Sequence, residues 1–388
     1  GLRGVSNPGL RPDEAADPLV LGHHRLHLPP VIATVLSIFL TIVVQALLAT
    51  QAKHGLPIAL RLMVNAVLVG QIWLIVRFRP TAGTVWAWLM LNAFCGFIFL
   101  QLNPADVFKS PSTPYGGDNS MHSLAPAFMR DVFLPRGRLF GWNPDWYAGW
   151  PLYQFYFPFP NFFIAAGSYA VFGVRLIPYG VAFKFVVILA CIGLPVSVYY
   201  FARKLRLPEP GPVIAAAATL PFLFDQYHSI YGGNILGVIV GEYSFSICLI
   251  LSFFFLGALY DSLTTGRRRW LPALLFGAAI QSHVIPTVMA GAGALILVFL
   301  VHGVSIRDRV WRFLSAVVPG VLLASYWLVP FESNLRMTSD FSYDKIRDYR
   351  ALLLKFTATN CATEPCGYNW PEAEVGHLRL VFALAAIG

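Results

Sequence analysis

The feature that most constrains this chain is a series of long apolar blocks, each ended by a short polar or basic stretch. The blocks lie near residues 31–50, 57–77, 84–101, 178–201, 211–225, 235–260, 270–283, 286–303 and 313–331. Runs of about 18 or more apolar residues are the length that spans a bilayer. A large soluble core breaks such runs with turns and amphipathic helices. Charge usage agrees: 12% of the residues are charged, against about 25% in a soluble domain. The expectation is an all-α polytopic membrane protein crossing the bilayer nine or ten times, with its transmembrane bundle over 31–332.

The net charge of +9 comes from Arg and Lys set between the apolar blocks. That is the pattern that keeps basic loops cytoplasmic, so the charge orients the chain and implies no nucleic-acid partner. Residues 1–30 read as a disordered cytoplasmic tail without a signal-peptide pattern. The loop with Arg77 and Arg79 is then inside, and the long polar loop 102–157 is outside. The segment 158–173 decides the rest. Its sixteen residues rise about 24 Å, short of a core of about 30 Å. Pro158, Pro160, Asn161 and the aromatics suit an interfacial helix. If the segment lies flat, Arg203/Lys204/Arg206, Arg267–Arg269 and Arg307/Arg309/Arg312 all fall inside, and a second polar loop, 333–376, falls outside. Residues 377–388 read as the start of a further span that continues beyond them. The expected location is the plasma membrane, with the functional face extracytoplasmic. The segment 270–283 is also short, and Pro286 prevents simple continuation. Irregular backbone at that depth predicts a cavity opening outward, with Gln281, Ser282 and His283 near its floor.

Ionisable residues at membrane depth are expensive and mark functional sites. On this threading they gather near the outer face: Asp118 and His122 in GGDNSMH, Asp145, Asp225 and His228 in DQYH, Glu242 in GEYS, His283 and Glu332. Asp118 follows Gly116 and Gly117, which permit a tight turn and close approach of a substrate. A carboxylate there suits a general base that takes a proton from an attacking sugar hydroxyl. The competing reading is a cap on a helix starting near Ser120. Glu242 sits among apolar residues and needs a partner or a wet cavity; His228, His283 and Lys184 are candidates. Lys184 either meets a lipid phosphate or snorkels to the surface. His283 reads more readily as a hydrogen-bonded helix-end residue than as a ligand. The stretch GWNPDWYAGWPLYQFYFPFPNFF, with Trp146 and Tyr153, is either an interfacial belt or a sugar-stacking surface.

No cofactor is required by any motif: nucleotide loops and HExxH and GxSxG patterns are absent. Carboxylates with imidazole suit a divalent metal such as Mg or Mn, although no ligand spacing is diagnostic. Of five cysteines, Cys95, Cys191 and Cys248 lie in apolar blocks, while Cys361 and Cys366 share a polar loop. A disulfide between the latter requires an oxidising compartment; a zinc site finds only His377 nearby.

An acidic residue early in a large external loop, an interfacial helix (FPFPNFFIAAGSYAVFGV) and a span ending FARKLRL resemble the GT-C class of lipid-linked-sugar glycosyltransferases. The stretch from GGDNSMH through FYFPFP resembles the actinobacterial pyruvoyl-tetrahydropterin-synthase-related membrane proteins. The GT-C resemblance implies a helix bundle that moves a sugar from a polyprenyl-phosphate donor to a glycan or glycolipid acceptor of the cell envelope. It also implies a catalytic carboxylate in the first external loop, which maps onto Asp118, with Asp106 nearer the membrane as the alternative. Two additional spans before that loop depart from the class. Competing functions are a lipid or glycan transporter, or flippase, and a non-catalytic assembly subunit.

Overall fold

A computed structural model describes residues 30–51, 58–78, 81–114, 116–145, 148–169, 177–225 and 232–338. The chain is an all-α polytopic membrane protein. The long helices are α1 (Pro30–Gln51), α2 (Ile58–Phe78), α3 (Ala82–Gln101), α7 (Tyr179–Lys204), α11 (Tyr243–Thr265) and α14 (Ile306–Ser333). Among the described residues these account for six candidate spans, α11 being extended backward to Ile235. The nine blocks read from sequence therefore do not all form full-length spans. The block at 211–225 forms the short helices α8 (Gly211–Ala217) and α9 (Thr219–Leu223). The blocks at 270–283 and 286–303 form α12 (Trp270–Ile280) and α13 (Val284–Leu300). Eleven residues of α12 rise only about 17 Å.

Between α3 and α7 lie α4 (Pro104–Val107), α5 (Asn119–Phe128) and α6 (Pro158–Gly167). An antiparallel hairpin of β1 (Gly141–Asn143) and β2 (Trp150–Leu152), which the sequence reading did not foresee, also lies there. Its turn is fixed locally, since the Asp145 N–H donates to Asn143 Oδ1 at 2.8 Å. α6 covers ten residues of the expected 158–173 segment, a rise of about 15 Å that cannot cross a bilayer.

Helices α7 and α11 run in the same direction, and α14 runs against them. Near the starts of α7 and α11 the rings of Phe183 and Tyr243 meet at 5.4 Å. Near their ends Lys204 pairs with Asp261 at 3.1 Å. Arg312, early in α14, donates to the Leu263 carbonyl at 2.8 Å. Trp327, late in α14, donates to the Tyr153 carbonyl at 2.9 Å. The basic clusters at 203–204, 266–269 and 309–312 thus share one end of the bundle, and the α5–α6 layer covers the other. α11 alone separates those ends by about 33 Å.

Two apolar clusters hold the bundle. One joins α11, α12, α13 and α14 through Phe255, Phe276, Leu297 and Trp327. The other joins α3, α7 and α11 through Ile98, Phe183, Leu194 and Tyr243. In the first, Gly277 and Gly320 let α12 and α14 touch. A Cβ on Gly277 would stand 2.9 Å from the Gly320 carbonyl oxygen, the small-residue contact that replaces hydrophobic drive inside lipid. α1 and α2 are peripheral, with 22% and 11% of their span windows buried, so most of their apolar surface faces lipid.

Candidate active site

The site begins with a break in the membrane helix that leads into α11. After α10 (Ile235–Gly237) the chain makes a π-helical turn, Val238–Glu242, and Gly241 takes φ 132°. The N-terminus of α5 docks on this turn. The Asp118 N–H donates to the Val240 carbonyl at 2.8 Å. Asn119 is fully buried, and its Nδ2 donates to Ile239 O at 2.5 Å and Gly116 O at 3.0 Å. Both glycines are required by the contact. A Cβ on Gly117 would stand 2.4 Å from Val240 O, and one on Gly241 would stand 2.8 Å from His122 Cδ2 and 3.2 Å from Asp118 Cβ.

The docking brings Asp118 and Glu242 into electrostatic reach of one another. Asp118 occupies the N-cap position of α5, yet its side chain makes no capping hydrogen bond and is exposed. The capping reading therefore accounts for its backbone position and not for its carboxylate. One turn along, His122 is buried. Its Nε2 lies 3.4 Å from the Tyr156 hydroxyl, and its ring packs against Tyr156 and Tyr243. Burial pushes the imidazole down to about 4, partly offset by the charge of Asp118, so His122 is neutral near pH 7. Burial, and then the charge of Glu242, push the Tyr156 phenol upward, which keeps its proton in place. The Tyr243 hydroxyl donates to Asn161 Oδ1 at 2.6 Å, tying α6 to the start of α11.

Several sequence candidates lie elsewhere. His283 is the N-cap of α13: its Nδ1 accepts from the Ile285 N–H at 3.3 Å, and its ring lies between Phe157 and Phe245. Gln281 and Ser282 are buried and bonded to protein: Tyr326 OH donates to Gln281 Oε1, and Ser282 donates to Ala278 O. The wet floor expected at 281–283 is thus a packed helix junction. Tyr153 is completely buried, and its carbonyl accepts from Trp327, so it has no ring face open to stack on a sugar. Lys184 donates to Val107 O at 3.0 Å and Ser110 O at 2.8 Å, holding the end of α4. Asp225 lies two residues past the end of α9, and its carbonyl accepts from Asn234 Nδ2. Asp145 and Glu332 are exposed. Asp106 lies in α4. Its side chain, together with Trp146, His228, Cys361 and Cys366, lies outside the described residues. Among the described residues no three His, Cys, Asp or Glu side chains are grouped to hold a metal ion.

Asn119, Tyr156, Tyr243 and Asn161 were not singled out as site residues by sequence reasoning. Asn119 and Tyr243 adjoin the singled-out acids, which was the available signal.

A family model described as 6-pyruvoyl-tetrahydropterin synthase related domain, membrane protein, matches residues 153–348. That is just over half of the chain. The chain belongs to this family. The PTPS-related membrane region so defined includes Tyr156, Asn161, Glu242 and Tyr243, while Asp118, Asn119 and His122 are contributed by the segment before it. No curated protein and no solved structure matches the chain.

Proposed function

We propose that the protein is a membrane glycosyltransferase of the GT-C kind, moving a sugar from a polyprenyl-phosphate donor to an envelope glycan or glycolipid on the extracytoplasmic face. The observation that carries this reading is Asp118: an exposed carboxylate, free of the capping bond its position invites, held beside a second carboxylate by two glycine contacts. Asp118 accepts the proton from the acceptor hydroxyl as that oxygen bonds to the anomeric carbon. The bond from that carbon to the donor phosphate oxygen breaks, and polyprenyl phosphate leaves with the electron pair. Glu242 accepts a hydrogen bond from a neighbouring sugar hydroxyl, while the neutral His122 and the protonated Tyr156 back the pocket. Lys184 holds the end of α4 through two carbonyls, and this scheme does not use it. The uncharged lipid tail stays in the bilayer, which accounts for the absence of a nucleotide-binding motif.

The test uses the full chain reconstituted in liposomes with a panel of radiolabelled polyprenyl-phosphate monosaccharides and lipid acceptors. Asp118→Asn is expected to lower transfer by about 10²–10⁴-fold, the range for loss of a general base. Wild-type turnover in that variant would remove Asp118 from the role. Label that crosses between leaflets without entering a new glycosidic bond would favour a flippase instead.

A further inference from the structure

A cavity of about 330 Å³ lies between α1, α2, α3 and α7, away from the Asp118 site. Its wall is mostly apolar and includes Val44, Met63, Phe99, Phe108, Ile188 and Ile192. Four polar side chains also reach it, and each has a partner in the protein. Thr41 donates to Ser37 O, Gln71 to Asn92 Oδ1, Asn92 to Trp88 O, and Cys95 to Ile192 O. Water needs two to four polar partners to occupy a cavity, and such a wall does not supply them. The helices around it are candidate spans, so the medium outside is lipid hydrocarbon. A volume of this size lies at the small end of ligand pockets, about 300–1,000 Å³, and suits one chain.

A cation, Lys184, stands next to the residues that line the cavity. Phe108 lines it, and Lys184 grips the carbonyls on either side of Phe108, at Val107 and Ser110. On α7, Phe185 and Ile188, one residue and one turn beyond Lys184, also line it. Two of the three ammonium N–H groups are used by those carbonyls, leaving one donor. An apolar slot with a cation beside its lining matches an amphiphile with an anionic head.

We infer that this cavity binds one acyl chain of an anionic phospholipid of the surrounding bilayer, with Lys184 donating its remaining N–H to the headgroup phosphate. The site is separate from the transfer site and stands whether or not the protein transfers sugar. The α1–α2 hairpin, otherwise mostly lipid-facing, is thereby joined to α3 and α7 through a bound lipid.

The test is native mass spectrometry of the intact chain in detergent, titrated separately with phosphatidylglycerol, phosphatidylcholine and undecaprenyl phosphate. One phosphatidylglycerol per chain is expected, retained at least fivefold more strongly than phosphatidylcholine and not displaced by undecaprenyl phosphate. Gly96→Phe projects into open space within the cavity, since nothing lies within 4 Å of its Cβ position. It is expected to lower phosphatidylglycerol retention at least fivefold. Val67→Phe enters from the α2 wall and serves if Gly96→Phe misfolds. Lys184→Gln is expected to erase the preference between the two phospholipids while a chain is still retained. Equal retention of both by the native chain, undiminished retention in the folded cavity-filling variants, or displacement by undecaprenyl phosphate would each overturn the inference.

Discussion

His122 is the residue whose environment makes the sharpest prediction. Its imidazole is neutral in the fold because burial holds it down to about 4, against 6.5 when free. Between those values the unfolded chain binds a proton that the folded chain does not, so stability falls as pH drops from 6.5 toward 4. The difference corresponds to ~3 kcal/mol at most. Thermal unfolding in detergent from pH 7 to 4 should show the native chain losing its advantage over His122→Gln across that window. Parallel curves would mean the ring is not buried in neutral form. Gly241 makes a second prediction at this scale. At φ 132°, with a Cβ 2.8 Å from the His122 ring, Gly241→Ala should cost about 1–3 kcal/mol. Gly291→Ala, in a helix with open space around it, should be neutral or stabilising by up to about 1 kcal/mol. Asp118 was legible because GGD is a turn signal carrying a charge at membrane depth. Asn119 and Tyr156 were not, because their value comes from partners 120 and 34 residues away along the chain.

At the scale of elements, the long spans were legible because apolar length alone decides what a bilayer accepts. Their limits were not. α14 begins at Ile306, well before the apolar block at 313, because its first two turns are basic and are held by carbonyls of α11 and α13 through Arg312 and Arg309. The π turn at Val238–Glu242 was hidden for a different reason. Nothing in VIVGEYS marks a break until α5 docks there and takes the Val240 and Ile239 carbonyls. The loop that carries α5 is secured from the far side by Trp327, whose Nε1–H donates to Tyr153 O and Tyr156 O. Trp327→Phe keeps most of the ring packing against Phe157 and Phe331 and leaves those buried carbonyls short of a donor. The expected loss is about 1–3 kcal/mol, with faster limited proteolysis within 134–157. Proteolysis indistinguishable from the native chain would show that the loop is held without this bond.

For the whole molecule, the way α7, α11 and α14 all run between the same two ends has a consequence that needs no substrate to check. Arg312 at Leu263 and Lys204 at Asp261 fix one end of the bundle; Phe183 at Tyr243 and Trp327 at Tyr153 fix the other. α11 runs between them for about 33 Å, enough to cross a hydrocarbon core of about 30 Å. Ser120, two residues from Asp118, and Thr265, beside the Arg267–Arg269 triplet, are both exposed and lie at opposite ends of that crossing. With the basic end cytoplasmic, Ser120→Cys should react with a membrane-impermeant maleimide on intact cells. Thr265→Cys should react only after permeabilisation, once labelling of the native cysteines is subtracted. Labelling of both from outside would contradict the packing of α11 as a single crossing. Labelling of Thr265→Cys alone would invert the molecule and place Asp118 in the cytosol, where a donor chemistry without a nucleotide loses its rationale.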